Sequence, residues 1–335
     1  MAHITNATMK DIAKSLNVSV TTISKVINGH KDISEKMRCE VQNKIVEMGY
    51  VPNIMAVNLR RNVANVVALV LSDISKPYFA RVIAGYERVF EASGYQTMTF
   101  SSMEQGEREN RFIRQIAAMN MAGIVIDPAQ DSDPQKTVLK QAGIPYVFSN
   151  RFLDAASDYY VAADNEVAGY MATRHLLERK PGAPVFCVNG PDRISPTTTR
   201  YEGYRRALTE AGAPFDEQSV YNNCFGLADA YEAGRRITEW ARPPFSVFCS
   251  TDQLAVGILR ALHEKELRVP DDAAVIGVDD IEMAPYLTPA LTTISLPKEL
   301  IGEKSAEMLI QLIEKHEIKE PRILFKPELI VRETT

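Results

Sequence analysis

Two groups of residues in this 335-residue sequence have types and spacings suited to holding a partner. Near the N-terminus, Thr21, Lys25 and Asn28 fall on one side of a helical repeat, with Val20 and Ser24 at its margins. Such side chains can reach base edges from a helix lying in a DNA major groove. Further along, polar residues follow apolar runs: Ser72-Asp73, Asn150-Arg151, Asp192-Arg193 with Arg200, Thr251-Asp252 and Asp279-Asp280. Tyr78, Phe79 and Phe225 add flat faces. Hydrogen-bonding pairs beside aromatic rings suit a small polyhydroxylated or planar polar ligand. Each has a plainer reading. Asp252 can cap the following helix, Asp73 and Asp192 can order turns, and Tyr78 and Phe79 can be core. Arg200, at the start of a helix, opposes the helix dipole, which makes a purely structural role less attractive.

Catalysis finds little support. No GxxxxGK[ST], HExxH, GxSxG or GxGxxG motif occurs, and the five histidines lack metal spacing or an acid partner. The adjacent carboxylates Asp271-Asp272 and Asp279-Asp280 read as turns with a ligand contact rather than as catalytic dyads. Cys39, Cys187, Cys224 and Cys249 form no CxxC pair, so reduced thiols are expected, with no zinc, no other metal and no cofactor. No secretory signal opens the chain and no apolar run approaches the ~18 residues of a membrane helix, which points to the cytoplasm.

The elements that would position these residues fall into two parts. In residues 1–62, nine Lys/Arg face five Asp/Glu, a net +4; the remainder carries a net −9. A basic head on an acidic body suggests that the head alone meets a polyanion. In the head, Thr8 pairs with Asp11 as a capping box before the stripe Met9, Ile12, Ala13 and Leu16. Ser19 caps a second helix with Ile23, Val26 and Ile27 inward, and Ser34 opens a third with Met37, Val41, Ile45 and Met48 inward, stopped by Gly49. That order is a helix-turn-helix DNA reader. In the body, apolar strands at 66–71, 96–100, 123–126, 145–148, 185–188, 247–249 and 274–278 alternate with helices at 79–92, 108–119, 166–178, 199–211, 228–240 and 253–265. This alternation predicts an α/β body of parallel, doubly wound sheets, and its length favours two lobes.

Specific blocks carry a family resemblance. Met9-Lys10-Asp11-Ile12-Ala13-Lys14, Asn17-Val18-Ser19 and Thr22-Ile23-Ser24-Lys25-Val26-Ile27-Asn28 resemble the signature of the LacI/GalR family of bacterial regulators. Gly49-Tyr50-Val51-Pro52-Asn53, with Ala56 and Leu59, resembles that family's hinge, although Val57 stands where many members have Arg or Gln. The resemblance implies a hinge helix that forms on DNA, capped by Asn53, with Leu59 wedged into the minor groove; an apolar wedge can kink DNA by unstacking a base step. DNA contacts are then expected from Thr8, Ser19, Val20, Thr21, Thr22, Ser24, Lys25, Asn28, Asn53, Ala56, Leu59, Arg60 and Arg61. In the body, Arg200-Tyr201-Glu202-Gly203-Tyr204, the 249–257 turn, and blocks at 267–272, 276–280 and 287–294 also match.

The implied architecture is a helix-turn-helix head (1–52), a hinge (53–63) and a periplasmic-binding-protein-like two-lobe body (64–335). Lobe one would take about 64–163 and 296–322, and lobe two about 164–293 and 323–335. By resemblance, Arg200 and Asp279 clamp an effector, Phe225 stacks on it, and Asn150 and Thr251 tune its choice. Asp73, Tyr78, Phe79, Arg151, Asp192 and Asp252 complete the expected site. Ile194 and Pro196 replace polar contacts of the purine-responsive branch, and Leu296 stands where many sugar-responsive members have Gln. The expectation is a repressor controlled by a sugar or sugar derivative, with a purine or nucleoside second. It would act as a cytoplasmic, nucleoid-associated homodimer on a pseudo-palindromic operator. The chain stops at Thr335, soon after strands expected at 322–325 and 329–332, so the leucine-heptad helix of tetrameric members is not expected. A periplasmic transport receptor would share the body but lack the head.

Overall fold

The apolar stripes assemble into two units, residues 1–64 and 65–335. The computed structural model describes residues 7–27, 30, 32–50, 65–129, 133–153, 159–192 and 194–335. In the first unit, α1 (Met9–Ser15), α2 (Val20–Ile27) and α3 (Glu35–Glu47) close around Ile12, Ala13, Ile23, Val26 and Val41. The capping box forms as expected: Thr8 N donates to Asp11 Oδ2 at 2.8 Å, and Asp11 N to Thr8 Oγ1 at 3.4 Å. Ser34 caps α3, and Gly49 follows it at φ +60°, the left-handed position a glycine takes without strain. The expected hinge, 53–63, lies outside the described residues.

The second unit holds two six-stranded sheets. The first contains β1 (Val66–Leu71), β2 (Gln96–Ser101), β3 (Gly123–Ile126), β4 (Tyr146–Ser149), β5 (Tyr160–Ala163) and β11 (Arg322–Phe325), in the order β11-β5-β4-β3-β1-β2, all parallel. The second contains β6 (Val185–Val188), β7 (Val220–Tyr221), β8 (Phe245–Cys249), β9 (Ala273–Asp279), β10 (Thr292–Ser295) and β12 (Glu328–Ile330), ordered β12-β10-β9-β8-β6-β7. It is parallel except where β12 runs antiparallel to β10. The helices are α4 (Pro77–Ala92), α5 (Gly106–Ala118), α6 (Asp133–Ala142), α7 (Asn165–Arg179), α8 (Ser195–Glu210), α9 (Leu227–Trp240), α10 (Asp252–Glu264) and α11 (Lys298–Ile313). Central strands such as β1 and β9 are near-continuous apolar runs because both faces are covered. None of the described helices is long and apolar enough to cross a membrane.

Several elements extend or correct the sequence reading. The strands β5, β7 and β10 and the helices α6 and α11 were not anticipated. The third crossing between sheets also moves. Every residue of β11 pairs with β5, so the expected division at 322/323 would cut a strand, and the chain changes sheets only after Phe325.

Glycines set how closely the covering helices approach. A methyl group at Gly203 on α8 would be driven onto the Glu166 carbonyl of α7, and one at Gly169 on α7 onto the Arg200 carbonyl of α8. Gly85 and Gly302 make the same reciprocal contact between α4 and α11 beside the first sheet. The glycine of the Arg200–Tyr204 block thus serves backbone-to-backbone packing. Gly203→Ala should lower unfolding free energy by at least about 1–3 kcal/mol, the usual cost of overpacking, measured by urea denaturation of the full chain. A loss within about 0.5 kcal/mol would show that the helices have room to separate.

Candidate functional site

In the first unit, α2 carries most of the described residues expected from the sequence to read DNA. Ser19 accepts from Thr22 N at 3.0 Å and exchanges a hydrogen bond with Thr22 Oγ1 at 2.9 Å, so both side chains hold the helix start. Thr8 is likewise engaged by Asp11. Val20 and Thr21 are exposed, and Ser24 is half-buried. Lys25 reaches Asp32 at 2.5 Å in an exposed ion pair, and the Lys25 ammonium holds the Asp32 carboxyl below its ordinary range. Asn28, Asn53, Ala56, Leu59, Arg60 and Arg61 lie outside the described residues.

In the second unit, strand ends converge on a cavity of about 300 Å³. Asp73 (after β1), Glu104 (after β2) and Asn150 and Arg151 (after β4) line one side, with Lys76, Tyr78 and Phe79 at the start of α4. The other side is Gly190 and Pro191 (after β6), Ser250 and Thr251 (after β8), Asp279, Ile194 just before α8, and the first turns of α8, including Thr197 and Arg200. Open parallel sheets place ligands at these carboxyl ends.

Arg200 is the most constrained of these residues. Its side chain is buried, donating Nε to Asn165 Oδ1 at 2.8 Å, Nη1 to the Ser250 carbonyl at 2.5 Å and Nη2 to Asp279 Oδ1 at 3.5 Å. A guanidinium has about five N–H donors, so some remain for a ligand. The helix begins at Ser195, not at 199, which puts Arg200 in its second turn and removes the expected conflict with the dipole. Asp279 sits at φ 117°, a strained conformation for a non-glycine residue, and burial pushes its carboxyl up against the opposing pull of Arg200. The Lys298 ammonium grips the Asp279 carbonyl.

Across the cavity, Arg151 makes a two-pronged pair with Glu104 at 2.8 and 3.0 Å, and Lys76 joins the same carboxylate. Burial alone would raise Glu104, but Arg151 and Lys76 hold it down to about 2. Asn150, at φ 67°, donates Nδ2 to the buried Asp127 at 2.9 Å. Asp73 accepts from Ser75 N and Oγ through one oxygen, so it orders its turn while facing the cavity. Tyr78 and Phe79 meet edge to face at 5.5 Å and are core as well as lining. The Tyr78 hydroxyl is buried with no hydrogen-bond partner among the described residues. Phe225 stands 63% exposed at the rim.

Two expected site residues are elsewhere. Asp192 is off the cavity wall. Its carboxylate accepts from Asn223 Nδ2 at 3.0 Å, which braces two loops; Arg193 lies outside the described residues. Asp252 is fully buried and does not cap α10; Thr251 does, receiving Leu254 N at 3.3 Å. Asp252 instead accepts from Thr293 Oγ1 at 2.5 Å and Ile281 N at 2.9 Å, tying α10 to the ends of β9 and β10. Lys76, Glu104, Thr197 and Gln253 line the cavity without having been anticipated, and Asn165 orients Arg200 from behind. Asn165 follows the unanticipated β5, and Glu104 sits on a left-handed turn, Met103 φ 54° and Glu104 φ 57°, that lacks the usual glycine signal.

Comparison with known proteins accounts for both units. Residues 8–53 match the model for bacterial regulatory proteins of the lacI family, and 173–335 match a periplasmic binding protein-like domain. The ribose operon repressor of Escherichia coli (strain K12) is 31% identical over 329 residues, covering 97% of this chain and 99% of that protein. The HTH-type transcriptional repressor PurR of Vibrio atlanticus (strain LGP32) is 30% identical, covering 98% of each chain. Among solved structures, a transcriptional regulator CelR–cellobiose complex is 30% identical with a TM-score of 0.75, covering 98% of this chain and 100% of that one.

Two outcomes follow from these placements. Lys25→Ala should cost about 1–3 kcal/mol against a preferred DNA site and relax selectivity at particular positions, read by competition gel-shift with single-position variants. A loss uniform across sequences would assign Lys25 to phosphate instead. For Asp252, burial first and Asp279 second push the carboxyl up to about 7. The folded chain then keeps a proton that the unfolded chain releases above about pH 3.9. Stability from this group is present at low pH and is lost as pH rises from about 4 to about 7. Asp252→Asn, an isostere of the protonated form, should therefore lessen the fall in unfolding free energy between about pH 5 and pH 8; an unchanged slope would place the proton elsewhere.

Proposed function

This chain belongs to the lacI family of bacterial transcriptional regulators, and from that premise we propose that a sugar or sugar derivative, held in the cavity of the second unit, controls its affinity for operator DNA. The observation that carries this reading is the buried Arg200–Asp279 pair, aimed into the cavity opposite Asp73 and Asn150. Vicinal hydroxyls both donate and accept, so a sugar can satisfy a guanidinium and a carboxylate together. The exposed Phe225 ring offers a face for the apolar side of a pyranose or furanose. A volume of about 300 Å³ is at the small end of ligand pockets, which suits a monosaccharide-sized molecule.

A purine or nucleoside is the second reading, favoured by Tyr78, Phe79 and Phe225 and by the likeness to a PurR repressor. Ile194 and Pro196 weigh against it, since they put apolar atoms where a base edge needs partners. The proposed protein is a homodimeric repressor working at the nucleoid in the bacterial cytoplasm, with paired heads reading the half-sites of a pseudo-palindromic operator. Thr21 and Lys25, with Asn28, read bases, and Arg60 and Arg61 serve phosphates.

Control requires differential affinity. A ligand touching both walls of the cavity binds one arrangement of the two sheets better than another and shifts the population by that difference. Arg200→Ala tests the assignment. Calorimetric titration with monosaccharides and nucleosides should show effector binding to the full chain and none to the variant. Operator affinity without effector should stay nearly intact, because Arg200 belongs to the cavity of the second unit and its partners are Asn165, Ser250 and Asp279. A normal effector response in the Arg200→Ala variant would move the binding site away from this cavity.

A further inference from the structure

Glu104 occupies a place in the cavity wall that ligand binding alone does not explain. It lies on a turn of two non-glycine residues with positive φ, Met103 at 54° and Glu104 at 57°, a conformation that costs free energy and persists only where surroundings enforce it. Those surroundings are the Ser72 carbonyl, which accepts from Glu104 N at 2.9 Å, and two cations. Arg151 pairs with Glu104 through both carboxylate oxygens, and Lys76 closes on the same group. All three residues line the cavity. Without Glu104, Lys76 would have no carboxylate partner among the described residues, and Arg151 would keep the Asp127 carboxylate at 3.6 Å and the Pro128 carbonyl at 3.0 Å. Lys76 and Arg151 would then give the wall the composition of an anion site.

We propose that Glu104 is the specificity residue that closes this cavity to anionic ligands, by occupying the two cations that would otherwise hold a phosphate or carboxylate. The effector is consequently a neutral, polyhydroxylated molecule rather than a sugar phosphate or sugar acid. The charge balance of the wall fits. Among the described residues lining it, Lys76, Arg151 and Arg200 face Asp73, Glu104 and Asp279, and each cation has a carboxylate partner. An anion entering at Lys76 and Arg151 would have to break their pairing with Glu104 and leave that carboxylate beside itself in a buried setting, a like-charge juxtaposition that disfavours wrong partners. A neutral polyol uses the spare lone pairs and N–H groups without displacing any charge. With its ionised form so strongly held, Glu104 stays charged across the physiological range, so the screen does not depend on pH.

This inference rests on a ligand occupying the cavity, and the experiment separates the two ideas. The full chain would be titrated, by calorimetry and by thermal shift at constant ionic strength, with matched probes. These are ribose against ribose 5-phosphate, glucose against glucose 6-phosphate and gluconate, and inorganic phosphate alone. Wild type should bind at least one neutral member and prefer it to its anionic counterpart by about tenfold or more, with no stabilisation by inorganic phosphate. Glu104→Gln should bind ribose 5-phosphate or glucose 6-phosphate about tenfold or more tighter than wild type does, and gain stabilisation by phosphate. If wild type takes none of the neutral sugars, the proposal of a sugar effector fails. The anion arm of the Glu104→Gln comparison still decides the role of Glu104. Wild type preferring a phosphorylated sugar or gluconate overturns the proposal, as does a Glu104→Gln chain that folds yet gains no anion binding. Should Glu104→Gln fail to fold, the wild-type ranking of matched probes and its response to phosphate decide alone.

Discussion

A guanidinium removed from water demands partners on every side, because several kcal/mol of lost solvation must be recovered by paired charge and hydrogen bonds. Arg200 meets that demand with three groups from three segments: the Asn165 side chain at the start of α7, the Ser250 carbonyl at the end of β8, and Asp279 at the end of β9. None of the three can move far without stranding a buried charge. The close approach of α7 and α8 through Gly169 and Gly203 serves the same end, since it brings Asn165 within reach of the guanidinium. The strained φ of Asp279 is held by the same arrangement, with Lys298 on its carbonyl and Arg200 on its carboxylate. Arginine, geometry and glycine contacts form one constraint, and the cavity is its open side.

The constraint is repeated in outline by the fold. Counted from their own first strands, both sheets run 2-1-3-4-5, with β11 or β12 added at the end. In each, the crevice opens where the order reverses beside the first strand. The two sets of carboxyl-end loops therefore face one cavity and supply opposite kinds of wall. Lys76, Glu104 and Arg151 form a closed ion cluster on one side, and Arg200 with Asp279 forms a partly unsatisfied pair on the other.

Much of this was legible from residue order. The central strands announced themselves as apolar runs, and the head's three helices by caps and stripes that reappear in its core. What escaped detection had specific causes. β10 is Thr-Thr-Ile-Ser, polar in sequence and buried in fact, because Thr292 and Thr293 find partners in Thr335, Arg332 and Asp252. β7 is two residues long, too short to show a period, and β5 is Tyr-Val-Ala-Ala, half of it alanine, which carries a weak apolar signal. Asp252 looked like a cap because it begins a helix, yet the residue before it can do the same work, and only packing decides that Thr251 caps while Asp252 turns inward. Asp192 followed a strand as the site residues do, but its partner Asn223 comes from a distant loop that no local pattern names. Glu104 was missed for the opposite reason: its backbone conformation ordinarily calls for glycine, and the ion cluster that stabilises it is tertiary.

The magnitudes are enough for control from this cavity. The Tyr78 hydroxyl is buried without a hydrogen-bond partner among the described residues, a situation that costs about 1–3 kcal/mol in general. Arg200 keeps N–H groups beyond the three that are matched. A ligand that satisfies Tyr78 on one wall and Arg200 on the other makes hydrogen bonds worth about 0.5–1.5 kcal/mol each, more where a charge is involved. These bonds form together only in an arrangement that brings both walls to the ligand. Allosteric couplings are typically about 1–3 kcal/mol, so two such bonds suffice for a response of roughly tenfold or more. The requirement is that the bonds be conditional on the arrangement of the walls, and buried groups on opposite sides of one cavity impose that condition. An effector held by one wall alone would bind as tightly in every arrangement and regulate nothing.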